Sequence, residues 1–147
     1  MGRAIAIPLL YLLAAMGGLG LGSVVQVVAD VTLLRDVCGT GLTLAATMAA
    51  YLPTVVIVAL LSVVPLLILR RTLPHLQALG LAAVCLAVAG FMVHAIKIWL
   101  TFRNGCGGVL ASSDSWLAGI LVLAAGIVHV VVAGRGGRRL WQDVPRG

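Results

Sequence analysis

The chain contains no glutamate. Its four acidic residues are all aspartates, and charged residues of both signs make up only 10% of its 147 positions, against about 25% in ordinary soluble domains. A surface that dissolves in water needs more charge than this, which excludes a soluble globular domain. Asp30, Asp36, Asp114 and Asp143 all fall at or beyond the ends of apolar runs. None is near a helix centre, so the carboxylate expected of a small four-helix proton-coupled antiporter is missing. No HExxH, GxSxG, P-loop or CxxC string occurs, and each of those strings carries a definite chemistry. No grouping of Asp, His and Ser presents a hydrolase. The expectation is therefore of no enzyme activity in the chain alone, with no catalytic residue, metal ligand or cofactor predicted.

What is present is apolar. Hydrophobic residues reach 62%, against about 45–50% in soluble domains, and the mean hydropathy is +1.18. A bilayer core about 30 Å thick is crossed by roughly 20 apolar residues in a helix. Four stretches qualify, at about 4–29, 42–69, 78–102 and 116–133. The connectors between them are short and carry turn or charge signals, so neighbouring helices should be antiparallel and adjacent. The predicted fold is an all-α integral membrane protein, an antiparallel four-transmembrane-helix bundle forming one domain over 1–147, with a basic tail at 134–147. The opening MGRAIAIPLLYLLAAMGG also has features of a secretory signal, but the apolar run continues well past any cleavage site, as in a retained helix. Pro53 and Pro65 interrupt the second span, which predicts a kink or tilt there, with Thr54 and Ser62 placed to bond the freed carbonyls.

The net charge is +6. The basic residues cluster at the ends of apolar runs, so they read as topology signals and headgroup contacts rather than a nucleic-acid surface. With four spans, Arg3, Arg70, Arg71, Arg135, Arg138, Arg139 and Arg146 fall on one side, and Arg35 and Arg103 on the other. The positive-inside rule then puts both termini in the cytoplasm. The bias towards Ala, Gly, Val, Leu and Arg points to the inner membrane of a bacterium. Trp99, Phe102 and Trp116 are expected in an outer aromatic belt, and Trp141 at the inner interface.

Small residues mark helix contacts in a membrane because they let backbones approach closely. The stretch MGGLGLGSVVQVVAD sets Ala14, Gly18, Gly22, Gln26 and Asp30 at intervals of four. On the third span Gly80, Ala83, Ala87, Gly90, His94, Lys97 and Thr101 follow alternating steps of three and four, a heptad seam. The fourth span repeats the rhythm with Ser115, Gly119, Val122, Gly126, His129 and Ala133, and the second offers Thr43, Thr47, Ala50 and Thr54. The helix-contact candidates are Gly18, Gly22, Ala83, Ala87, Gly90, Gly119 and Gly126. Small residues facing one another leave little interior room, so no large central cavity is expected.

Ionisable and strongly polar residues within spans are functional candidates by default: Gln26, Asp30, His94, Lys97 and His129. Asp30 is expected to pair with Lys97, with snorkelling or ligand binding by Lys97 as alternatives. His94 and His129 invite a haem reading, but they sit about four residues apart in depth, ~6 Å along the axis. Hydrogen bonding across helices is the favoured role for both. Copper held by Met92 and His94 is disfavoured, since residues two apart face different sides of a helix. Cys38 and Cys106 lie in the two outward connectors, an oxidising side, and predict a disulfide clamp. Cys85 should be a free, buried thiol.

These features favour a noncatalytic inner-membrane accessory or assembly subunit, whose partners are the lipid bilayer and either other membrane protein subunits or a second copy of itself. A dimeric transporter or channel for ions or small solutes, lined by Gln26, His94 and Lys97, is the second reading. A redox protein using haem or the outer thiols is the third.

Overall fold

A computed structural model describes residues 2–36, 42–70, 74–103 and 116–143. They form four helices, α1 (Gly2–Asp36), α2 (Leu44–Arg70), α3 (Pro74–Phe102) and α4 (Trp116–Gln142). All four are long and apolar enough to cross a membrane, which is the build of a multi-pass membrane protein. At 35 residues α1 is about 52 Å long and outreaches a ~30 Å hydrocarbon core. Large apolar side chains such as Leu13, Val24, Leu60 and Leu123 point outward. That exposure is unfavourable in water and favourable in lipid.

The helices form a ring in which α1 borders α2 and α4, and α3 borders α2 and α4, while the α1 and α3 backbones barely meet across the diagonal. Successive helices are antiparallel. The core is built in three layers. At the end where the described chain begins and ends, Tyr11, Ala15, Leu66, Leu76, Val84 and Val132 pack together. Leu19, Val58, Ala87, Phe91 and Ala125 fill the middle. Ala29, Leu42, Tyr51, Ala95, Ile98 and Phe102 close the far end.

Local chemistry sets several boundaries. Thr43 caps α2, its Oγ1 accepting the Ala46 N–H at 3.2 Å, which satisfies one of the orphan donors of a helix start. The Leu42 N–H donates to the Phe102 carbonyl at 3.4 Å, tying the start of α2 to the end of α3. α2 runs unbroken through Pro53 and Pro65. The hydroxyls expected to relieve these prolines do not: Thr54 Oγ1 and Ser62 Oγ are buried without a hydrogen-bond partner. Instead both lie on the inner face of α2, with Thr47, Tyr51, Val58 and Leu66. Elsewhere hydroxyls do bond back one turn, Ser23 to the Leu19 carbonyl at 2.9 Å and Thr101 to the Lys97 carbonyl at 2.9 Å, as suits hydroxyls in an apolar medium.

Three further expectations change. The segment from Gly134, read as the start of a tail, continues α4 as helix to Gln142. Phe102 packs in the far core layer rather than in a belt, because it lies one turn beyond Ile98 on the buried stripe of α3. Trp116 and Trp141 are exposed, and the Arg103 guanidinium lies 5.8 Å from the Trp99 ring centroid. Cys85 is free but exposed, since the positions on either side of it in the seam, Ala83 and Ala87, take the inner face. Cys38 and Cys106 lie outside the described residues.

Candidate functional site

Three of the five polar candidates, Asp30, His94 and His129, fall in two hydrogen-bonded clusters. At the far end, Asp30 of α1, Tyr51 of α2 and His94 of α3 form one cluster. The Tyr51 hydroxyl donates to Asp30 Oδ1. His94 Nε2 lies 3.0 Å from both Asp30 oxygens, an ion pair when the imidazole is protonated. The His94 and Tyr51 rings meet edge to face with centroids 5.8 Å apart. Tyr51 is fully buried, while the Asp30 and His94 side chains retain 22% and 15% of their exposure. Asp30 is six residues from the end of α1, Tyr51 seven from the start of α2 and His94 eight from the end of α3. The cluster therefore sits ~9–12 Å inside the ends of these helices.

The second cluster is at the opposite end. The Tyr11 hydroxyl of α1 and His129 Nδ1 of α4 share a hydrogen bond, both side chains are fully buried, and their ring centroids are 5.5 Å apart. His129 Nε2 has no partner. An imidazole offers two hydrogen-bonding nitrogens, so one remains unsatisfied in this layer.

His94 and His129 each hydrogen-bond across helices, the role favoured for both, whereas the partner of Asp30 differs from the one expected. The carboxylate expected to meet Lys97 is held by His94, three positions earlier on α3, together with Tyr51. Lys97 is half-buried one turn further towards the helix end and has a polar interaction of its own. His94 and His129 belong to different layers with Phe91 and its neighbours between them, so the two cannot meet at a single iron. Among the described residues no three His, Cys, Asp or Glu side chains gather closely enough to hold a metal ion.

Sequence reasoning missed both tyrosines, the only two in the chain. A signal was available. A phenol hydroxyl deep in an apolar run must find a partner there, and few polar groups lie at matching depth.

The small residues divide into two sets. A Cβ added at Gly22 would lie 2.6 Å from Val58 Cγ2, and one at Gly18 3.0 Å from Leu61 Cβ. At Gly90 it would approach Val122 Cγ2 to 2.8 Å and the Ala118 carbonyl oxygen to 3.0 Å. These glycines, with the buried Ala83 and Ala87, close the bundle on itself. Gly18 and Gly22 of α1 thus meet the chain's own α2, and Gly22 also Phe91 of α3. Gly119 behaves differently, since a Cβ there meets nothing, and at Gly126 it only reaches Met16 Cε at 4.0 Å. The inner stripe of α4 runs instead through Ala118, Ala125, His129, Val132 and Gly136. That stripe is rotated by about one residue from the Gly119–Gly126 seam at the start of the helix.

The displaced glycines line a groove. Between α1 and α4 a cleft of about 530 Å³ is bordered by Met16, Gly20, Ser23, Leu123, Gly126 and Ile127. Gly17, Gly20, Gly119 and Gly134 all have open space where a side chain would go. A smaller cleft of about 350 Å³ adjoins it towards the far end, sharing Ser23 and Val122, and is lined by Gln26, Gly90, His94 and Gly119. The bundle thus offers one open, glycine-lined seam, with Gln26 and His94 at its upper edge. Comparison with protein-family models, with curated proteins and with solved structures found no match.

Proposed function

We propose that this protein is a noncatalytic, membrane-embedded accessory or assembly subunit, which receives a transmembrane helix of another membrane protein in its α1–α4 seam. The observation that carries this reading is the division of small residues. One set packs inside the bundle. The other set lies open to the surroundings, Gly20 and Gly126 along the α1–α4 groove and Gly119 in the cleft adjoining it. Close backbone approach drives helix association in lipid, where dispersion and hydrogen bonds replace hydrophobic burial. Ser23 and Gln26 beside the groove add hydrogen-bonding groups for such a helix. The faces of α2 and α3 carry Leu52, Leu60, Leu67, Leu81, Ile96 and Leu100 outward, bulky side chains suited to lipid tails.

The arginine distribution supports cytoplasmic termini, and the composition supports a bacterial inner membrane. Fusions at the C-terminus test the topology. Green fluorescent protein placed there should fluoresce, and a periplasm-dependent phosphatase should be inactive. The predicted Cys38–Cys106 clamp gains support from the Leu42–Phe102 backbone bond, which joins positions four residues from each cysteine.

Transport by a single bundle is disfavoured, because Phe91, Val58, Ala87 and Ala125 are buried side by side across the axis below the Asp30 cluster. The test of the subunit reading is isolation in mild detergent. The native protein should co-purify with another membrane protein. Gly20→Leu and Gly126→Leu should lose that association while keeping native helicity. A native protein that elutes as a lone monomer overturns the reading.

A further inference from the structure

At the end of the bundle nearest the chain termini, Arg135, Arg138 and Arg139 occupy positions i, i+3 and i+4 of α4, which share one helix face. With Gln142 and with Leu76 and Leu79 of α3 they line a cleft of about 370 Å³. Arg138 and Gln142 also border a second, apolar groove of about 600 Å³ between α1 and α4, walled by Pro8, Leu9, Leu12 and Gly134, with Trp141 at its edge. The two spaces therefore meet at Arg138. Asp143, just past the end of α4, is the nearest acidic residue in sequence among the described residues, and it lines neither space. Among the described residues none of the three arginines forms an ion pair with it.

We infer that this junction is a binding site for one anionic phospholipid. The phosphate lies among Arg135, Arg138 and Arg139, and one acyl chain lies in the groove beside Leu12 and Gly134. Charge complementarity selects the head. Guanidinium groups match phosphate oxygens in paired hydrogen bonds, and each basic residue near a membrane surface strengthens attraction to anionic lipid. Shape selects the tail, since an apolar groove opening from a cationic mouth fits an amphiphile and not a free anion. Gly134 leaves the groove open, as nothing lies within 4 Å of where its Cβ would be. The site is below the Gly20–Gly126 part of the seam and does not depend on the partner helix proposed above.

The test is native mass spectrometry of the full chain in detergent, titrated with phosphatidylglycerol, with phosphatidylcholine of the same acyl chains, and with inorganic phosphate. Phosphatidylglycerol should bind at one site, and the other two should bind far more weakly. Removing two arginines in R138Q/R139Q should weaken phosphatidylglycerol by about 30-fold. Gly134→Phe, which fills the groove and leaves the arginines, should weaken it as well. R103Q, which removes an arginine at the opposite end, should change nothing. Circular dichroism checks that each variant keeps its helices. Equal binding of the two lipids would overturn the role of the arginines. Inorganic phosphate binding as tightly as phosphatidylglycerol, or unchanged binding in Gly134→Phe, would overturn the role of the groove.

Discussion

Asp30→Leu removes the acceptor shared by Tyr51 and His94, and its cost follows from the geometry at the far end of the bundle. The Tyr51 hydroxyl is fully buried and donates to Asp30, while His94 Nε2 lies 3.0 Å from both carboxylate oxygens. Orphaning a buried polar group costs about 1–3 kcal/mol, whereas hydrogen bonds between membrane helices average only about 0.6 kcal/mol. Two bonds lost, one to a buried phenol and one to a half-buried imidazole, give an expected loss of about 2 kcal/mol. The assay is reversible unfolding of the purified chain in mixed micelles with increasing denaturing detergent, followed by helical circular dichroism. A second variant sharpens the test. Tyr51→Phe in the Asp30→Leu background removes the orphaned hydroxyl, so the double variant should be no less stable than Asp30→Leu alone, although Tyr51→Phe by itself costs about 1 kcal/mol. Additive losses, or a stability unchanged in Asp30→Leu, would refute the reasoning.

The same assay checks the opposite end, where Tyr11→Phe leaves His129 without a partner. It should cost about 1 kcal/mol and add independently to Tyr51→Phe, because the Phe91 layer separates the two clusters. Gly90→Ala places a methyl 3.0 Å from the Ala118 carbonyl oxygen, backbone that a rotamer change cannot clear, and should destabilise by about 1–3 kcal/mol, while Gly17→Ala, which meets nothing, should not. Mass spectrometry of the non-reduced chain should find Cys38 and Cys106 joined and Cys85 free, and two free thiols at Cys38 and Cys106 would remove the clamp.

Much of the fold was legible because hydropathy and length alone identify spans in a chain with so little charge, and short connectors force antiparallel neighbours. Boundaries were less legible. The arginines at 135, 138 and 139 stopped the apolar count at 133, yet a helix needs no apolar side chains to continue, and α4 runs to Gln142. Small-residue spacing located the inner faces of α1 and α3, where Gly18, Gly22, Ala83, Ala87 and Gly90 are buried. It misplaced the face of α4 only in the first half of the helix, where Ala118 and Gly119 are both small and a one-residue change turns a helix by about 100°; His129 and Ala133 of the same seam are buried. The Asp30 site was half legible. Its carboxylate and imidazole stood out as polar groups in apolar runs, but partner choice depends on which α3 position reaches α1, and His94 and Lys97 differ by a single turn. Tyr51 went unseen because tyrosine in a membrane chain is ordinarily read as an interfacial anchor.

The claim that the α1–α4 seam receives a partner helix is tested most directly by photo-crosslinking in intact membranes. A photoreactive residue at Gly126 or Ile127 should join the chain to another membrane protein at one defined mass. The same residue at Leu60, exposed on α2, should give only lipid adducts. Lipid adducts alone at Gly126 and Ile127, or the same protein adduct at Leu60, would contradict the account.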